Sequence, residues 1–328
     1  MFLKNATDFF KRLFWAMQIR ILCSCPPLWG IAFQSGMSAD RSREAWLKTL
    51  FRVAVRMPLA IFIHLYDKTR KRVVLPRVAV SVTLRCTLNC DNCIGYMPDN
   101  ARLGDIPASD IIRDVRALFS NVDYIYDLNL TGGEPFLHPD LDQIILACVE
   151  PNKVGHVDVS TNGTVIPGTK ALAALRKANA TVRISKYLDE LQPNVEKLKC
   201  ILKENEIHFM HEECAFWYDP GDRAKTMLRD GMERRRFSIC VLKLCLAFYN
   251  GKLHLCHTSV LMEFGVIPVF KEDFIDLRMA SPAAFREQWR TLQRKRVLSA
   301  CSYCTGFSYK TPRIPVAVQR EHAATQTL

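Results

Sequence analysis

A chain of 328 residues, 49% apolar, can bury one large core or two smaller ones. Its thirteen cysteines fall at metal-like spacings, and no clean secretory signal precedes them. This argues against a disulfide framework and for a reducing cytoplasm. The formal charge is +12, and residues 1–76 hold +9 of it, thirteen Lys and Arg against four acids.

Residues 1–76 read as a basic helical extension. Phe9, Phe10, Leu13, Phe14, Trp15 and Met17 are interleaved with Lys11, Arg12 and Arg20, and Cys25-Pro26-Pro27 stops a helix there. The apolar stretch is too short and too interrupted to span a bilayer. A second helix starts near Ser38 or Asp40, with Trp46, Leu47, Leu50, Phe51 and Ala54 on one face and Lys48, Arg52 and Arg56 on another. Pro58 interrupts it before the apolar run 59–66. One reading is a peripheral contact with an anionic membrane surface, or with an anionic substrate. The other is an extension packed on the rest of the chain with a solvated basic face. His64, Cys23 and Cys25 read as non-ligands.

From Arg77 to about residue 235 strand-like and helix-like runs alternate. The strands are Val78–Val82, Tyr126–Thr131, His156–Ser160, Thr181–Ser185 and Ile207–His211; the helices are 108–119 (capped by Ser109 or Asp110), 139–149, 168–179 and 192–205. Alternation of this kind implies βαβ units and a parallel sheet, with working residues at the carboxyl ends of the strands. The first strand leads into Cys86-Thr-Leu-Asn-Cys90-Asp-Asn-Cys93, a C-x3-C-x2-C trio. Thiolates select iron–sulfur clusters, zinc or Cu(I), and three are one short of a closed tetrahedral site. A cluster with one open iron fits that count. At the second strand end stands Thr131-Gly-Gly-Glu-Pro135. Gly132 and Gly133 allow close backbone approach, Glu134 offers a carboxylate and Pro135 fixes the exit. Ser160-Thr-Asn162-Gly163 follows the third strand, and Ser185-Lys186 the fourth.

Residues 236–314 are cysteine-rich. Tyr249-Asn-Gly251 marks a hairpin between two apolar strands. Cys240, Cys256, Cys301 and Cys304 supply four thiolates, enough for one closed [4Fe–4S] cluster or for a zinc site. Cys245 is one ligand too many and reads as buried in the hairpin, or as a substitute for Cys240. His257 lies next to Cys256, either as a hydrogen-bond donor near a cluster or as an ordinary polar residue. Cys148, Cys200 and Cys214 read as free thiols. Residues 315–328 read as a disordered tail.

The cysteine trio, the GGEP turn and the STNG turn, in this order on successive strand ends, resemble the radical S-adenosylmethionine (SAM) superfamily. The tail resembles that superfamily's SPASM/Twitch region in its single-cluster form. The resemblance implies an α/β fold: a partial (β/α)6 TIM-like barrel at 77–235, carrying the helical N-terminal extension and the small cysteine-rich Fe–S region. It implies a [4Fe–4S] cluster on Cys86, Cys90 and Cys93, SAM, and a second, auxiliary [4Fe–4S] cluster on Cys240, Cys256, Cys301 and Cys304. Gly132, Gly133, Glu134 and Pro135 would hold the SAM amino group. Ser160 and Asn162 would meet the ribose or the carboxylate, and Ser185 and Lys186 the carboxylate. The family usually places an aromatic residue before the third cysteine. Here that residue is Asn92, and Tyr96 is the nearby aromatic able to substitute.

The implied reaction is one-electron cleavage of SAM to a 5′-deoxyadenosyl radical that abstracts hydrogen from a substrate. The electron would come from an external flavodoxin- or ferredoxin-type reductant. The outcome expected is oxidation or epimerisation of a small polyol, sugar or lipid-linked sugar. Peptide modification is the competing reading, weakened by the lack of a winged-helix pattern. A non-catalytic electron carrier would need no SAM pocket. No side chain stands out as a catalytic acid or base, and no module for nucleic-acid recognition is visible.

Overall fold

The computed structural model describes residues 61–225, 231–308 and 310–320. The predicted helices of residues 1–60 lie outside them. Residues 61–69 are helical and expose Ile61, Phe62, Leu65 and Tyr66. The helix exit is tied by Arg72 to the Asp67 carboxylate at 2.8 Å.

Five strands in chain order form the parallel part of the sheet: β1 (Val74–Thr83), β2 (Tyr124–Gly132), β3 (Val157–Thr161), β4 (Thr181–Lys186) and β5 (Phe209–Glu213). Helices α1 (Ala108–Asn121), α2 (Leu141–Ala147), α3 (Thr169–Lys177) and α4 (Val195–Glu204) connect them. A two-stranded ladder joins β6 (Trp217–Tyr218) to a late segment described below, and α5 (Met232–Ile239) follows. The predicted alternation holds. In α1 the buried residues Ile111, Val115, Leu118 and Phe119 recur at helical spacing. Its start differs from the expected Ser109 or Asp110 cap. Pro107 takes the cap position with an extended ψ of 131° and no side-chain bond, so the helix begins at Ala108. Buried apolar runs such as Val78, Val80 and Val82 on β1, and Val182 and Ile184 on β4, put the core under the sheet, as expected for strands covered on both faces.

The tail completes the sheet. β7 (Leu246–Tyr249) and β8 (Lys252–His254) form the expected hairpin. Asn250 and Gly251 turn at φ 50° and 72°, the geometry of a two-residue primed turn. β7 pairs parallel with β1, Val78 opposite Leu246 and Val80 opposite Phe248. β9 (Phe274–Asp276) adds to β8 antiparallel. The sheet order is β5-β4-β3-β2-β1-β7-β8-β9. Six parallel strands are present, as a partial (β/α)6 barrel requires. The sixth is supplied by the cysteine-rich region, beside β1 and not beside β5. Helix α6 (Pro282–Arg294), capped by the Ser281 hydroxyl, packs Phe285, Trp289 and Leu292 inward.

Charged side chains from neighbouring strands meet inside the sheet. Arg77 bonds Asp127 and, at 3.1 Å, Asp158; Arg183 bonds Asp158 and, at 2.6 Å, Glu212. Asn129 bonds Asp158 and reaches Ser160 at 2.8 Å. Asp127, His156 and Asp158 crowd their ligand atoms within 4.8 Å, but the two guanidiniums already neutralise these carboxylates.

Residues 315–320 depart from the expected disorder. β10 (Arg313–Ile314) pairs antiparallel with β6. Beyond it, the Asp91 amide donates to Val318 and the Arg320 amide to Asn89, at 2.7 and 2.8 Å. Backbone pairing of this kind orders a terminus that composition alone would leave free. Residues 321–328 lie outside the described residues.

Candidate active site

β1 bulges between Ser81 and Thr83 and releases the chain into the cysteine loop. The end of β2 crosses directly against this exit. The Gly133 amide donates to Thr83 at 3.0 Å and the Glu134 amide to Arg85 at 2.8 Å. A Cβ on Gly132 would stand 2.2 Å from the Thr83 carbonyl oxygen, and one on Gly133 2.1 Å from that of Arg85. Gly132 also sits at φ +145°. The two glycines therefore permit the close crossing of two backbone segments as well as a smooth cavity floor.

A cavity of about 380 Å³ opens where these strand ends converge. Cys86, Cys90 and Cys93 line it together with Gly132, Gly133, Ser160, Asn162 and Ser185. Eight of the predicted residues, from four strand ends, are thus gathered in one place. Asn162 bridges two of these ends, with Nδ2 3.5 Å from the Cys86 sulfur and 3.0 Å from the Thr87 hydroxyl. Burial pushes the Cys86 thiol up to about 11 and raises that of Cys90. Buried sulfurs of this kind hold their protons unless a cation balances the thiolate charge. The donor set therefore fits a cationic iron centre.

Three predicted residues do not reach the cavity. Glu134 is 0% exposed. Its carboxylate accepts from the Thr161 hydroxyl at 2.8 and 2.9 Å, the Asn162 amide at 2.9 Å and the Phe136 amide at 3.1 Å. It ties the end of β2 to the end of β3 and does not face an incoming amino group. Burial lifts its pKa to about 7 against the pull of those donors. Pro135 is buried and opens a short 3-10 turn. Lys186 points to solvent, 3.7 Å from Glu213. Asn92 lines the cavity, but Tyr96 turns away to the Arg223 guanidinium, 5.3 Å over its ring.

The aromatic character of the site comes from elsewhere. Tyr187, Phe216, Trp217, Tyr218 and Phe307 line the cavity. Trp217 packs edge-on to Tyr187 at 5.9 Å, and Tyr218 to Phe307 at 6.0 Å. The sequence signal for this wall is the consecutive aromatic run Phe216-Trp-Tyr218.

A second, smaller cavity is lined by Cys240, Cys256, Cys301 and Cys304, with Arg236, Lys243 and Thr258. The Gly306 amide and the Thr258 hydroxyl approach the Cys304 sulfur at 3.3 and 3.6 Å. Burial raises the thiols of Cys240 and Cys256, the latter to about 12. Cys245 does not line this cavity. Its sulfur lies 3.7 Å from His257 Nε2. His257 is no surface residue: burial lowers its pKa to about 4, and it lines the first cavity. All eleven described cysteines are free.

The sequence profile of the radical SAM superfamily matches residues 80–205. Curated relatives include the GTP 3′,8-cyclases of Stenotrophomonas maltophilia, 34% identical over 119 residues (36% of this chain and 35% of theirs), and of Clostridium acetobutylicum, 32% identical over 117 residues (34% of each). The chain therefore spans about a third of the length of the curated relatives it matches. Among solved structures, BtrN in an open conformation aligns at TM-score 0.39 and 16% identity over 72% of this chain and 95% of its own. SuiB of Streptococcus suis, bound to S-adenosylmethionine, aligns at TM-score 0.36 and 21% identity over 52% and 39%.

Proposed function

The chain belongs to the radical SAM superfamily through residues 80–205, and from that premise we propose that it is an enzyme whose reacting centre is the cavity at the ends of β1 to β4. The observation that carries this is the meeting of the three loop cysteines with Gly132, Gly133, Ser160, Asn162 and Ser185 in one cavity. The family implies a [4Fe–4S] cluster and SAM. Cys86, Cys90 and Cys93 are the ligands we assign to that cluster. When bound, the cluster and SAM supply one-electron cleavage that yields a 5′-deoxyadenosyl radical able to take hydrogen from a substrate. The chain's own part is to orient and to exclude water. Asn162 holds the cysteine loop to the end of β3, and Ser160 and Ser185 present hydroxyls for ribose or carboxylate. The aromatic wall offers a stacking face in place of Asn92. An external flavodoxin- or ferredoxin-type protein is the reductant this reading requires.

The second cavity is the proposed auxiliary [4Fe–4S] site, with Cys240 and not Cys245 as its fourth ligand. Four thiolates also suit a zinc ion; iron and sulfide analysis of a Cys301→Ala, Cys304→Ala variant separates the two, and iron content unchanged from wild type would remove the auxiliary cluster.

For the substrate we favour a small polyol, sugar or lipid-linked sugar that is oxidised or epimerised. A ring with an apolar face suits the wall of Trp217, Tyr218 and Phe307. Residues 61–72 join an exposed apolar helix face to Lys68, Arg70, Lys71 and Arg72, which suits contact with an anionic membrane surface. Co-sedimentation of the chain with anionic vesicles at low salt tests that contact, and its failure would remove it.

Anaerobic reconstitution with iron and sulfide, followed by SAM and dithionite, tests the central reading. Formation of 5′-deoxyadenosine is the expected outcome. Its absence from repeated preparations that carry a full complement of iron and sulfide would overturn the assignment.

A further inference from the structure

We propose that the C-terminal strap, residues 316–320, is a positioning element of the first cysteine site, and that Gln319 does this by donating its side-chain amide to the sulfur of Cys90. The inference rests on the assignment of Cys86, Cys90 and Cys93 as cluster ligands.

The strap meets the loop across more than two hundred residues of sequence. Gln319 Nε2 lies 3.2 Å from the Cys90 sulfur, and its Oε1 accepts from the Asn89 amide at 2.8 Å. That second bond fixes which end of the side-chain amide faces the sulfur. Asn89 N–H can only donate, so oxygen must face it and the NH2 group must face Cys90. The other amide hydrogen goes to the Ala317 carbonyl at 2.7 Å. Both donors and the acceptor of Gln319 are therefore used, and its rotamer is held from three sides.

The backbone grips the same loop. Cys90 and Gln319 form an antiparallel bridge, flanked by the bonds from Asp91 to Val318 and from Arg320 to Asn89. Arg320 closes the end with a fork on Asp99, at 2.6 and 3.1 Å. Ala317 anchors the other end, 1% exposed. A strap secured at both ends and centred on one ligand is built for that ligand.

Sulfur donors to a cluster are tuned by the hydrogen bonds they accept. An N–H aimed at a thiolate stabilises extra negative charge and so favours the reduced cluster. The Cys86 sulfur draws such contacts from the Leu88 amide and Asn162, within the barrel. Cys90 draws its donor from the far end of the chain. Removing Gln319 should therefore make this cluster harder to reduce.

The test is an anaerobic redox titration of the reconstituted full-length chain, following the electron paramagnetic resonance signal that changes when SAM is added. Gln319→Leu keeps the size and removes the donor; Gln319→Glu keeps an acceptor for Asn89 and replaces the donor with a charged oxygen. Both should move the midpoint potential to more negative values, Gln319→Glu further. Arg320→Ala, which loosens the strap but keeps the donor, should move it less than either. Loss of the SAM-responsive signal from Gln319→Leu, with the other cluster's iron retained, would also support the strap as the holder of Cys90. Unchanged potential and unchanged iron in both Gln319 variants would overturn the proposal while leaving the cluster assignment intact. A wild-type chain with no SAM-responsive signal would overturn both.

Discussion

Glu134 allows a quantitative test of how the site is held. An exposed glutamate releases its proton near pH 4.5, whereas Glu134 in the folded chain does so only near 7. Between those values the folded state keeps a proton that the unfolded chain has lost. Stability therefore falls as pH rises through this window and levels off above it. Each pH unit is worth about 1.4 kcal/mol, so the window spans on the order of 3 kcal/mol. Glu134→Gln has nearly the same shape as the protonated acid and cannot ionise. Relative to wild type, it should gain about 3 kcal/mol in stability between pH 5 and pH 8. The measurement is urea unfolding of the cofactor-free chain at several pH values, wild type against variant. Parallel pH profiles for the two proteins would refute the reasoning. They would mean that the donors from Thr161, Asn162 and Phe136 outweigh burial and keep the carboxylate ionised throughout. Glu134→Ala separates the two effects, since it strands those donors at every pH and should cost roughly 3–6 kcal/mol.

Replacing Cys86, Cys90 or Cys93 with Ala should reduce 5′-deoxyadenosine formation to background, read by chromatography after SAM and dithionite. Cys240→Ala should lower the iron and sulfide content per chain, whereas Cys245→Ala should leave both unchanged; the reverse result would exchange the two assignments. Gly133→Ala drives a Cβ against the Arg85 carbonyl and should cost about 3 kcal/mol or more in denaturant unfolding. Asp158→Asn leaves Arg77 and Arg183 without their shared carboxylate and should destabilise by roughly 3–5 kcal/mol, a loss that Asp110→Asn on the exposed face of α1 should not reproduce.

The parallel part of the fold was legible because short apolar runs, rich in β-branched residues in β1, β3 and β4, alternate with helices that repeat at 3.6. The strand ends were legible because glycine pairs and spaced thiols are rare local signals. What the sequence concealed depended on partners distant along the chain. Glu134 is an open carboxylate by composition, and only the position of Thr161 and Asn162 turns it inward. Tyr96 is the aromatic nearest the trio, yet Arg223 draws it away from the cavity while Trp217 and Phe307 take up the wall. Cys245 and Cys240 are equivalent as thiols; the hairpin register sends one toward His257 and the other toward Cys304. Residues 315–320 carry no periodicity and read as disordered, because their order comes from pairing with Asn89 and Asp91.

The register of the hairpin also bears on how the two cysteine sites are related. Cys240 precedes β7 and Cys256 follows β8, so both stand at the open end of one hairpin. That hairpin is hydrogen-bonded to β1 at Val78 to Val80, and β1 runs on directly into Cys86. Cys240 and Cys256, two of the four thiols of the second cavity, are therefore linked to the three of the first through the pairing of this hairpin with β1. His257 and Phe307 complete this arrangement. Each lines the first cavity, and each adjoins in sequence a residue that lines the second, Cys256 and Gly306. A chain divided into a core and a separate tail would leave the distance between the two sites free to vary. Here the tail supplies the sheet's sixth parallel strand, so that distance is set by backbone pairing.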